Sequence, residues 1–182
     1  MPSRKCLIFS VHEVALIFVA HSYGALYAGY FILKNPNVVQ GLLLVDPVPR
    51  EFNFSNQLIH KYKKGISEAK TQPASTIYNK YGGSKAEVIY QMLGFNESKH
   101  QIKQLGPIND RIHVIILSST EMEKEHPLKE NWYTSQIQWL NKNHMSKIIR
   151  TPSDHFIQLK EPQKVCNTLK KIVNQWISER LQ

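Results

Sequence analysis

Cysteine is scarce in this chain, and what the sequence lacks narrows its class before any motif is read. Two cysteines, Cys6 and Cys166, in 182 residues cannot build a multi-bridge scaffold, and no Cys-x-x-Cys pair offers a zinc or redox site. Reduced thiols in a cytoplasmic protein are the simplest reading. No run approaches the roughly 20 apolar residues of a membrane span. A secretory signal is not expected either: Arg4 and Lys5 precede an apolar stretch, but His12 and Glu13 split it, whereas a signal core is one uninterrupted block. Acidic side chains are few, 14 against 23 lysines and arginines, for a formal charge of +9. The lysines are spread along the chain, with one tight group at Lys61, Lys63 and Lys64, and no zinc-finger, RRM or KH pattern accompanies them. A solvated basic surface is therefore preferred to a nucleic-acid interface. Internal repeats and low-complexity tracts are also missing.

What is present is a chain long enough for one domain with a real core, patterned as alternating strands and helices. Residues 14–20 form a continuous apolar run with Val and Ile, the pattern of a parallel strand covered on both faces. Residues 22–33 read as a helix whose small residues Ala25, Ala28 and Gly29 suit close packing, and Asn35-Pro36 stops it. Residues 41–45 are the next strand, ending at Asp46-Pro47. Strand, helix and strand joined by short linkers imply a βαβ unit in a parallel sheet. Residues 48–107 lose the strand character and read as a mainly helical cap, with amphipathic stretches at 56–69 and 85–93. A third strand is expected at 112–117, a helix at 131–141, a short strand at 147–150 and a final amphipathic helix at 162–181. The expectation is one domain over 1–182, with 48–107 inserted as the cap.

The residues able to carry chemistry sit where these elements meet. Ala-His-Ser-Tyr-Gly at 20–24 follows an apolar strand and opens a helix, the layout of a nucleophile elbow, where a strained turn lifts a Ser hydroxyl above the sheet. Ser22 is the candidate nucleophile, with Ala20 and Gly24 as the small flanking residues. Acyl transfer by serine further needs an imidazole oriented by a carboxylate. Of eight histidines, His155 lies on the loop between the last strand and the last helix. The segments Ala-His-Ser-Tyr-Gly, Gly-Leu-Leu-Leu-Val-Asp-Pro and Asp-His-Phe-Ile-Gln-Leu-Lys-Glu-Pro together resemble the α/β-hydrolase fold superfamily. The resemblance covers residues 14–181 apart from the cap.

That resemblance implies a three-layer α/β protein and a Ser-acid-His order along the chain. It implies an acid at the end of one of two strands. Asp46 is preferred, as in a subgroup with a shortened later loop that the Trp132-x-x-x-Gln136 segment resembles. Glu121 is the alternative, with Glu123 beside it. Tyr23 would supply one oxyanion N–H, and His21 would be structural or part of the pocket wall. No metal or organic cofactor is implied, and the substrate would be a small-molecule ester or similar acyl compound. A Ser nucleophile argues against epoxide hydrolase and haloalkane dehalogenase chemistry, for which the fold uses Asp.

The resemblance also implies something missing: the strands before the elbow, and the loop that gives the second oxyanion donor. The strand at 14–20 would then have a bare edge, open to a homo-oligomer or a strand-donating partner. Residues 6–11 could fold back over it, although His12-Glu13 makes a poor hairpin turn. A truncated hydrolase fold is the expectation. A catalytically inactive protein of that fold, with a binding role or none, is its alternative.

Overall fold

The computed structural model describes residues 15–51, 53–122 and 132–181. The expected fold-back of residues 6–11 and the carboxylate of Glu123 lie outside the described residues. Four strands form one sheet in chain order: β1 (Leu16–His21), β2 (Val39–Val45), β3 (His113–Ser119) and β4 (Lys147–Thr151). Every pairing is parallel, with His21 opposite Val45, Val45 opposite Leu117, and Ser119 opposite Thr151 at the carboxyl ends. The apolar runs explain this order. Leu42, Leu43, Leu44 and Ile116, Leu117 are wholly buried, as befits strands covered on both faces.

Helices lie on both sides. α1 (Gly24–Lys34) follows β1, and α4 (Gly83–Leu105) packs on it. Their side of the sheet buries Leu26, Ile32, Leu42, Leu44, Phe95, Ile102, Ile116 and Trp139. The expected helix at 85–93 is thus part of a much longer one, bracketed by Gly82 and Gly106 at φ 76° and 82°, which glycine enters without the Cβ penalty. On the opposite side α6 (Ile157–Lys160) and α7 (Pro162–Arg180) close over Leu43, Val45, Ile115 and Leu117 through Ile157 and Ile172. Between β2 and α4 lie α2 (Asn56–Ala69) and α3 (Ala74–Tyr81); Ile77 of α3 and Ala86 and Ile89 of α4 form a small cluster against which Ile66 of α2 packs. The described residues between β2 and β3 thus carry three helices, α2, α3 and α4.

The expected helix at 131–141 is shorter: α5 (Trp132–Gln136) tightens into a 3₁₀ turn, Ile137–Trp139. Tertiary demands decide this. The Trp139 indole donates to the Val48 carbonyl at 2.8 Å, and its ring lies so close to α1 that a Cβ on Gly29 would meet it at 2.6 Å. Gly29 is thus required by close approach. Gly24 is different from expectation, since a Cβ there would find no heavy atom of the described residues within 4 Å. Among the described residues, space around the elbow does not demand that glycine.

Among the described residues β1 pairs only with β2. Val19 is 48% exposed, so β1 is an edge strand in these residues. No helix among them is long and apolar enough to cross a membrane.

Candidate active site

Two neighbouring strands end in the same uncommon backbone conformation. Ser22 follows β1 at φ 52° and Asp46 follows β2 at φ 41°, the non-glycine residues with positive φ among those described. Such positions cost on the order of 1–3 kcal/mol and persist only where the surroundings enforce them. Here the enforcement is visible. The Ser22 N–H donates to the Val45 carbonyl at 3.1 Å, the Val48 N–H donates back to the Ser22 carbonyl at 3.1 Å, and the Asp46 N–H donates to Leu117 at 2.7 Å. Both side chains are thereby turned off the carboxyl ends of their strands, toward the loop after β4.

That loop carries His155. Its Nε2 lies 2.8 Å from Ser22 Oγ, and its Nδ1 lies 2.7 Å from Asp46 Oδ2. A carboxylate only accepts, so Nδ1 carries the proton and Nε2 is the nitrogen free to accept from the serine hydroxyl. The His155 side chain keeps 20% of its exposure, while that of Asp46 has none.

A wholly buried carboxylate must have its lone pairs occupied. Asp46 Oδ1 accepts from three donors: the Ser119 N–H at 3.0 Å, the Trp132 indole at 2.8 Å and the Gln136 amide at 3.0 Å. The Gln136 amide also donates to the Pro47 carbonyl at 2.8 Å. One oxygen is thus locked by the scaffold and the other is presented to the imidazole. Ser119 further joins the two loops. Its hydroxyl donates to the Ser153 carbonyl and accepts the Glu121 and Met122 N–H groups, each at 3.1 Å.

The structure therefore brings Ser22, His155 and Asp46 together. It does not bring Glu121 to the imidazole: the carboxylate on His155 Nδ1 is that of Asp46, and Glu121 sits partly exposed in the turn after Ser119. Tyr23, the other candidate, is buried, with its hydroxyl 3.1 Å from Ser98 Oγ and its ring 5.8 Å from that of Phe95. Burial pushes its phenol pKa up. Its main-chain N–H finds no acceptor among the described residues. Sequence reasoning used Trp132 and Gln136 only as burial and likeness, and missed Ser119. The i, i+4 spacing of Trp132 and Gln136 on one helix face, both with donor tips, was the available signal.

No family model and no curated protein matches this sequence. Solved structures do. The epoxide hydrolase CorEH matches at a TM-score of 0.58 and 14% identity over 91% of this chain and 70% of its own. Cfl2 from Burkholderia cenocepacia matches at 0.55 and 16% identity over 87% of this chain and 65% of its own. The chain thus spans about two thirds of the length of these two structures. With a parallel sheet flanked by helices in the same arrangement, it has the α/β-hydrolase fold.

Proposed function

We propose that this protein is a serine hydrolase acting on an ester or similar small acyl compound. The observation that carries the reading is the continuous path from Ser22 Oγ through His155 to the immobilised Asp46 carboxylate. Ser22 Oγ attacks the acyl carbon as its proton passes to His155 Nε2. The imidazolium then gives that proton to the departing alkoxide, leaving an acyl-serine. Water repeats the sequence: His155 takes its proton, the new oxygen attacks, and Ser22 leaves reprotonated with a free acid as product. Asp46 keeps the imidazole in the useful tautomer and stabilises its charged form. Tyr23 N–H, at the start of α1, is one donor for the oxyanion, and a donor of this kind is worth on the order of a hundred- to a thousandfold in rate. The helical segment 48–107 acts as the cap that shapes the acyl pocket.

Intact-mass detection of fluorophosphonate labelling tests this directly. One covalent adduct, lost in Ser22→Ala and His155→Ala, is expected. A folded wild-type chain that takes no label would sink the reading and favour the second one, a non-catalytic hydrolase-fold protein with a binding role. The edge of β1 that no described residue pairs, with Val19 48% exposed, is the observation on its side, since an unpaired edge offers pairing to another chain.

A further inference from the structure

His21 is the residue of the elbow region that the scheme above leaves unused. Alternation along β1 sends Leu16, Phe18 and Ala20 into the α1 side of the core, and Ile17 into the α6–α7 side. His21 shares the face of Ile17, so it projects toward the loop that leads into α6. There its Nε2 lies 3.0 Å from the main-chain carbonyl of His155. A carbonyl only accepts, so this nitrogen carries the proton, and a neutral ring then leaves Nδ1 bare. The two imidazoles are 4.6 Å apart between centroids, and Phe156 completes the cluster at 5.6 Å from His21 and 5.4 Å from His155.

Consecutive residues thus grip one histidine from two sides. Ser22 meets its ring and His21 meets its backbone, while Asp46 holds the remaining ring nitrogen. We propose that His21 is a positioning residue: its Nε2–H, donated to the His155 carbonyl, sets the loop so that the His155 ring aligns with Ser22, and it does so as the neutral imidazole. Neutrality matters because His155 becomes a cation in the reaction, and a second positive ring beside it would oppose that step. Burial, the largest influence, favours the neutral form and outweighs the hydrogen bond to the His155 carbonyl, which favours the charged one; the His155 ring adds to burial, while the Asp46 carboxylate acts against it. The proposal rests on the serine-hydrolase reading for its meaning in catalysis, but its geometry can be read separately.

The experiment pairs ¹⁵N-histidine NMR with fluorophosphonate labelling rates for wild type, His21→Phe and His21→Gln. In wild type at neutral pH, His21 is expected with Nε2 protonated and Nδ1 bare. His21→Phe keeps a flat ring but no donor; its labelling is expected to slow on the order of ten- to a hundredfold, and His21→Gln, whose amide can reach the same carbonyl, to recover most of that loss. The His155 ring signals should move in His21→Phe and return in His21→Gln. An Nδ1–H tautomer at His21, or unmoved His155 signals with unchanged labelling in His21→Phe, would overturn the proposal. So would equal loss in both variants. If wild type takes no label, the hydrolase reading fails, yet the His155 signals still decide the positioning claim. Should circular dichroism show His21→Phe unfolded, the wild-type tautomer and His21→Gln decide it.

Discussion

β1 and β2 lie side by side, and each ends in a left-handed residue whose side chain meets His155, but they are held very differently. β2 is paired on both edges and nearly all of it is buried. Asp46, the residue after it, is gripped by donors from β3 and α5. β1 pairs on one edge among the described residues, and most of it is only partly buried. The proposed acid is built into the centre of the sheet, whereas the proposed nucleophile stands at its margin among the described residues, secured mainly through β2 and His155. The fold invests its stability in the orienting half of the site and leaves the attacking half on the less protected strand.

The largest effect should come from the gripped carboxylate. Asp46→Asn is expected to lower the acylation rate on the order of a thousandfold or more, because an amide favours the wrong imidazole tautomer. Glu121→Gln should leave the rate unchanged, and ester turnover measured on both would reverse the assignment if the pattern came out the other way. Next, stability should track the two strands. Leu43→Ala in β2 should cost about 2–5 kcal/mol in urea unfolding. Val19→Ala in β1 should cost under about 0.5 kcal/mol, as at exposed positions generally. Equal costs would erase the contrast. Removing one donor to the acid, in Gln136→Leu, should destabilise by about 1–3 kcal/mol, with a fall in acylation rate that Val19→Ala does not show.

The smallest effect is a pH dependence on the β1 side. Burial lowers the His21 pKa below its ordinary 6.5, so the unfolded chain binds the proton more readily than the folded one. That contribution to stability is complete above about pH 6.5 and is lost as pH falls toward the folded value. The melting temperature of His21→Gln should therefore decline less than that of wild type between pH 7 and 5. A parallel decline would show that His21 plays no part in it.

Much of this was legible in the residues themselves. The runs at 41–45 and 112–117, apolar but for His113, have the pattern of buried parallel strands; the first lies inside β2, and the second, apart from Ile112, inside β3. Ser22 stands out because a strand, small neighbours and a helix surround it, and His155 because it falls between the last strand and last helix. Asp46 could be preferred to Glu121 only by the likeness of one segment, since the choice depends on donors 73 to 90 residues away in sequence. The only local trace of such contacts is the i, i+4 spacing of Trp132 and Gln136, which shows two donor tips on one face but not the carboxylate they reach. Likewise the 3₁₀ turn at Ile137–Trp139 is imposed by an indole reaching across to Val48. The full length of α4 depends on glycines at its ends, where periodicity is silent.

The hydrogen bonds that assemble the site have a kinetic meaning. Those joining Ser22, His21, Asp46 and His155 span 109 to 134 residues of chain. Contacts so distant in sequence carry a high loop-closure entropy and form late, after local helices and neighbouring strands. Competence to react at Ser22 is then the last property the chain acquires. In a refolding experiment, labelling should appear only with the slowest phase, after helical ellipticity has already returned.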